Sequence, residues 1–212
     1  MKNKKVYAFG DSIVYGHTLP ERAFMNIIAD QSGVVLSKYA VNGATIVQRE
    51  GTDNDILNQL DTADDQKPDI IVFDGYTNDA LGEVDIEKHW GKISSKTATE
   101  FDTSTFCGAF EKIIYTMKNK WQGVPILFVT IHKSGGRPWE LQSKLRDVSL
   151  KICEEWGVDV VDIFKDCTLD TRDETQMKKY IIDGAGSHPN EQACREFYVP
   201  AVTAKMKELL AE

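Results

Sequence analysis

Four short clusters in this chain carry side chains that can move a proton or present a nucleophile. They read FGDSIVYG at 9–16, VNGAT at 41–45, DGYTND at 74–79 and DGAGSHPN at 183–190. A serine nucleophile needs a base, a group that orients the base, and donors for the oxyanion that develops on a carbonyl. Ser12 supplies the hydroxyl. The base must come from four histidines: His17, His89, His132 and His188. His188 lies in a glycine-rich loop before a closing helix that Asn190 is suited to cap, and Asp183, five residues earlier, can reach round to its imidazole. His17 stands too near Ser12 along the chain to approach it, His89 sits in a polar loop, and His132 follows a strand; these three are expected as polar surface residues. For the oxyanion, Gly43 offers an unhindered backbone N–H, Asn78 a side-chain amide, and Ser12 its own N–H.

Those clusters work together only if the fold brings them to one rim. Short apolar, β-branched runs at Lys5–Phe9, Val34–Ala40, Asp69–Phe73, Val124–Thr130 and Val158–Val161 read as strands, several of them apolar on both faces as in a buried parallel sheet. Helical spacing joins Phe106, Phe110, Ile113, Met117 and Trp121 ahead of a stop at Gly123. Further helices are predicted over Glu21–Gln31, Asp53–Asp61, Pro138–Trp156 and Glu191–Leu210, with Pro200 expected to kink or split the last. The alternation predicts a three-layer α/β/α sandwich on a parallel sheet, in a single domain without repeats or linkers. Ligands of such folds bind beyond the carboxyl ends of the strands. Ser12, Gly43 and Asn78 all follow strand ends.

Bulk properties narrow the chemistry. Of the 212 residues enough are apolar for one full-sized core, and the net charge of −8 disfavours nucleic acid and anionic membrane as partners. No apolar run is long enough to span a bilayer, so membrane insertion is not expected. The four cysteines, Cys107, Cys153, Cys167 and Cys194, show no C-x-x-C spacing and read as free thiols of a reducing compartment. Together with an amino end that lacks a signal-like apolar stretch, they lead us to expect a cytoplasmic protein. Metal-ligand spacing is missing too, and neither metal nor organic cofactor is expected. The oligomeric state is left open.

The four clusters resemble the blocks of the SGNH hydrolase superfamily, specifically GDSL-type lipases and esterases, and the resemblance spans nearly the whole chain. It implies a flavodoxin-like sandwich with a five-stranded parallel sheet. It also implies Ser12 as nucleophile and first oxyanion donor, Gly43 and Asn78 as the other donors, His188 as base and Asp183 as the triad acid. Two departures stand out. Tyr76 occupies the glycine position of the G-x-N-D block, where a bulky ring is expected to narrow the pocket. Two extra residues also separate Asp183 from His188 relative to D-x-x-H, so either a bulged loop carries Asp183 to the ring or a backbone carbonyl orients it instead. Asp11 and Asp79 read as loop anchors. The absence of G-x-S-x-G argues against an α/β-hydrolase fold.

The activity expected is hydrolysis of a small-molecule ester, short-chain and conceivably acetyl on a carbohydrate. The long polar stretch 80–105 is expected to overhang the site with Trp90 in its wall. HKSGGRPWE adds Trp139 as a second ring for a sugar; ordinary packing is the competing reading for both. A lysophospholipase or thioesterase is the alternative within the hydrolases. Outside them stand a non-catalytic sugar-binding relative and a phospho-receiver domain, the latter mimicked by Asp11, Asp74, Thr130 and Lys165.

Overall fold

The computed structural model describes residues 1–81 and 86–210. Five strands, β1 (Lys5–Phe9), β2 (Val35–Lys38), β3 (Ile70–Phe73), β4 (Ile126–Val129) and β5 (Asp159–Val161), form one parallel sheet in the order β2-β1-β3-β4-β5. Every residue of β3 and β4 is buried, and so is β1 after Lys5, which is why these runs are apolar on both faces. β2 lies at the edge and is half-exposed. Its regular pairing is shorter than the apolar run, yet Tyr39 N–H still donates to the Ala8 carbonyl (2.8 Å) and Val41 N–H to that of Gly10 (3.1 Å). The chain beyond β2 is thereby carried toward the end of β1.

The helices are α1 (Ser12–Tyr15), α2 (Phe24–Ser32), α3 (Ile56–Thr62), α4 (Phe106–Lys120), α5 (Trp139–Trp156), α6 (Ile163–Asp166), α7 (Glu174–Tyr180), α8 (Glu191–Ala193) and α9 (Val199–Leu210). Asp55, Thr105 and Asn190 cap α3, α4 and α8 with side-chain oxygens. The predicted closing helix does split. A π-turn over Cys194–Tyr198 lies directly before Pro200, with Val199 N–H reaching back to the Cys194 carbonyl. A proline lacks the N–H for an ordinary helical bond and its ring crowds the carbonyl one turn earlier, and the widened turn absorbs both.

The segment after β3 forms a short turn at Asp79–Leu81; of the stretch expected to overhang the site, residues 82–85 lie outside the described residues. From 86 to 105 the chain has no helix or strand and is pinned along α4. Phe106 and Cys107 N–H groups donate to the His89 and Trp90 carbonyls, and the buried Glu111 carboxylate accepts from Ser94 N–H at 2.9 Å and Trp156 Nε1 at 3.1 Å.

Candidate active site

The run Val6–Phe9 stops at Gly10 because β1 must end against another loop. Gly10 has φ +142°, and a Cβ there would lie 1.8 Å from Asp74 Oδ1. That oxygen instead accepts the Asp11 N–H at 2.9 Å, while Gln59 takes the Gly10 N–H at 2.9 Å and donates to the Gly10 carbonyl at 2.8 Å. Asp11 caps α1, its Oδ1 accepting from Ile13 N–H at 2.8 Å. Ser12 is therefore presented at the first position of a short helix whose base is fixed by four hydrogen bonds.

The Ser12 hydroxyl lies 2.8 Å from His188 Nε2, and His188 Nδ1 contacts Asp183 Oδ2. The three side chains are in a serine–histidine–aspartate relay, and the longer loop bulges rather than dropping the acid. The loop is held from outside. The Gly186 carbonyl is 2.6 Å from the Thr171 hydroxyl and 3.2 Å from both the Ser134 hydroxyl and His132 Nε2. The 135–136 glycine pair lets that loop approach: a Cβ on Gly136 would sit 1.7 Å from the Ala185 carbonyl oxygen. An isolated antiparallel bridge between Ile181 and Pro189 closes the neck.

The glycine and asparagine loops are tied to each other. Asn78 Nδ2 donates to the Ala44 carbonyl at 2.8 Å, and the Asp79 carboxylate accepts from Ile46 and Val47 N–H, both at 3.0 Å. Gly43, at φ +79°, turns the chain next to Ala44. Asp11 and Asp79 thus are the anchors their positions suggested. Tyr76 corrects the expectation of a narrowed pocket: its ring is fully buried, packs on Phe128 and accepts the Ile131 N–H at 3.3 Å. Its φ of +69° explains why the related pattern has glycine there. A bulky residue in that region carries strain on the order of 1–2 kcal/mol, here offset by burial of the ring.

Two histidines expected on the surface belong to the site. His17, at φ +50°, lays its ring flat on His188, with centroids 3.8 Å apart and planes 9° from parallel. His132 is fully buried. The Gly186 carbonyl can only accept, so Nε2 carries the ring proton and Nδ1 accepts from the hydroxyl of Tyr198 on the π-turn (2.8 Å), which itself accepts the His132 N–H (3.0 Å). His89 is exposed, as expected. Arg137 was also missed; it is buried and donates through Nε to the Thr77 carbonyl at 2.6 Å. The glycine pair in HKSGGRPWE was its only signal, a sign of close backbone approach.

Both tryptophans expected as sugar platforms also pack against neighbouring rings. Trp139 stacks on Phe164 and carries the Arg172 guanidinium 3.8 Å over its ring, while 41 % of the residue stays exposed. Trp90 is half-buried and stacks on Phe106. A receiver role fails on burial: Asp74, the would-be phosphate acceptor, is 1 % exposed.

Burial dominates the electrostatics. It pushes the Asp79 carboxyl up to about 6 and the His132 imidazole down to about 4. Asp74 is raised well above the carboxylate range by burial and by the neighbouring Asp11, itself raised by burial. Burial would also raise Asp183, but the hydrogen bond and charge of His188 outweigh it and hold it below its usual value. Among the described residues one cluster, His17, Asp183 and His188, brings metal-ligating atoms within 4.8 Å of one another. The two rings lie in parallel planes and aim their nitrogens along those planes, not at a common point, so the pair is arranged for packing.

A flavodoxin-like sheet with a serine, a histidine and an aspartate in relay at its carboxyl edge is the architecture of the SGNH hydrolases. The sequence model of the GDSL-like Lipase/Acylhydrolase family matches residues 8–195, and the chain belongs to that family. Its fold is shared with a protein from Lactobacillus plantarum (TM-score 0.78, 20 % identity, 100 % of this chain and 98 % of that one). It is shared also with a member of the lipolytic protein G-D-S-L family from Veillonella parvula (0.61, 18 %, 95 % and 96 %). A family two carbohydrate esterase from Clostridium thermocellum, solved with cellohexaose, is similar over 100 % of this chain and 66 % of its own (0.65, 15 %). No protein of curated function matches the sequence.

Proposed function

We propose that this protein is a serine ester hydrolase that works through an acyl-enzyme on short-chain esters. The observation that carries the reading is the continuous relay from the Ser12 hydroxyl, 2.8 Å from His188 Nε2, to the Asp183 carboxylate on the other ring nitrogen. Asp183 holds the Nδ1–H tautomer, so that Nε2 has its lone pair toward Ser12. As Oγ attacks the ester carbonyl, its proton passes to Nε2 and the carbonyl oxygen becomes an oxyanion. The N–H groups of Ser12 and Gly43 and the second amide hydrogen of Asn78 are the donors we assign to it, each worth about 2.7–4 kcal/mol of barrier in sites of this type. The imidazolium then protonates the departing alcohol. Water, deprotonated by the same nitrogen, attacks the acyl-serine and releases the acid, returning the proton to Ser12.

Acetylated carbohydrate is the first natural substrate class to try. The support is the fold shared with a carbohydrate esterase, not the tryptophans, whose rings are engaged in packing. The test is hydrolysis of p-nitrophenyl acetate, butyrate and octanoate by the wild type and Ser12→Ala, with fluorophosphonate labelling of both. We expect turnover fastest on acetate, an alanine variant slower by at least about a thousandfold, and label on Ser12 alone. Equal rates in the two proteins and an unlabelled serine would overturn the reading; preference for octanoate would move the substrate to long-chain acyl esters.

A further inference from the structure

His17 follows the nucleophile helix by two residues, and the chain bends sharply to bring it back. Gly16 and His17 both take left-handed backbone angles, φ +101° and +50°, and the His17 N–H donates to the Ser12 carbonyl at 3.0 Å. The second of these angles is uncommon outside glycine, though histidine is among the residues that adopt it, and its surroundings hold it in place. Asn42 Nδ2 fixes the same bend by donating to the His17 carbonyl at 3.2 Å. The outcome is a ring lying on the full face of His188, 3.8 Å away and 9° from parallel.

We propose that His17 is a positioning residue for His188: its ring is a wall that fixes the plane in which Nε2 meets the Ser12 hydroxyl. The inference rests on the reading of Ser12, His188 and Asp183 as a working relay. Hydrogen bonds at Nδ1 and Nε2 define an axis through the imidazole but leave the ring free to rock about it, and a flat neighbour removes that freedom. A proton-transfer role does not suit His17, because its contact with His188 is through the ring face while the exchanging protons lie in the ring plane. The charged and titratable groups around it are accounted for. His188 and Asp183 face it from the 183–188 loop, while Arg22 and Glu191, which line the adjoining recess, pair with each other. Burial and the nearby His188 hold the His17 imidazole below its ordinary value, which keeps the wall uncharged beside a base that becomes cationic during each turnover.

The test compares His17→Asn with His17→Phe. Asparagine accepts the left-handed backbone and removes the ring; phenylalanine keeps a flat ring without any titratable nitrogen. Expected are a kcat about tenfold lower for the asparagine variant with KM little changed, and recovery of most of that loss by phenylalanine. The far-downfield proton resonance of the His188–Asp183 hydrogen bond reads the same geometry without turnover. It should be sharp in the wild type and the phenylalanine variant and broadened or absent in the asparagine variant. An asparagine variant with wild-type kcat and an unchanged resonance would overturn the proposal, and so would a phenylalanine variant as slow as asparagine. Failure of the hydrolase reading is separate, because it appears as wild-type activity that survives Ser12→Ala.

Discussion

Ser12 and His188 are held in place by opposite chemistries. On the Ser12 side, backbone N–H groups of the turns are gathered by buried acceptors that lie close by in the same rim: Asp74 for Asp11, Asp11 for Ile13, and Asp79 for Ile46 and Val47. On the His188 side a carbonyl is gathered instead, with Thr171, Ser134 and His132 converging on Gly186. Carboxylates suit N–H donors, whereas hydroxyls and a neutral imidazole suit a carbonyl. The two sides should therefore fail under different conditions. The nucleophile side contains acids already raised by burial, which ionise fully only as pH climbs. The base side depends on a histidine that must stay neutral, and acid threatens it.

The strongest way to sharpen the contrast is to break the relay where the sides meet. Asp183→Asn should lower kcat about a thousandfold to ten-thousandfold while leaving KM near wild type, measured on p-nitrophenyl acetate. Its geometry survives, but the tautomer that faces Ser12 is lost. A rate within tenfold of wild type would mean that the acid merely packs.

A smaller effect, confined to the base side, comes from its glycines. Gly136→Ala would push a Cβ against the Ala185 carbonyl oxygen, displacing the loop that carries His188, whereas a Cβ on Gly184 meets nothing within 4 Å. A loss of about a hundredfold in kcat/KM is expected for the first, with little change for the second. Equal effects would show that the loop is not held by the 135–136 pair.

A further test reads stability rather than rate, through its pH dependence. His132 titrates at about 4 in the fold against an ordinary 6.5, so between these values the unfolded chain binds the extra proton. Its contribution is fully present above about pH 6.5 and is lost as pH falls toward 4, amounting to about 3 kcal/mol at the acid end. His132→Gln should flatten that part of the profile in urea unfolding measured across pH 4–7. A slope that stays as steep would assign acid sensitivity elsewhere.

Much of this was legible in the residues. The three central strands announced themselves because both faces are buried, and Ser12, Gly43 and Asn78 could be placed on one rim because each follows a strand end. Asp183 and His188 were legible as a pair and a bulged loop as one of two ways for them to meet, but the choice between the two was not, because the loop is held by Thr171, Ser134 and His132, which are distant in sequence. His17 and His132 were misplaced on the surface for related reasons. Local polarity says nothing about a ring folded back onto another loop, or about one buried under a tyrosine from the π-turn. Trp139 was read as a sugar platform, with packing as the competing reading, from its polar neighbours in the chain; Arg172, distant in sequence, lies over its ring and could not be seen there. Tyr76 could not be judged without knowing that its ring turns inward.

The separation between Ser12 and His188 has a consequence for biogenesis. The two are 176 residues apart in the chain. Ser12 and the loops that carry Gly43 and Asn78 are synthesised, and β1, β2 and β3 can pair, long before His188 exists. Closing so long a loop is an entropic step that only the finished sheet and the last helices repay. On the proposed reading Ser12 is until then an ordinary alcohol, inert toward esters. If Ser12 is the nucleophile we propose, its reactivity switches on with the last stretch of chain, so a fluorophosphonate should count completed molecules and ignore nascent ones.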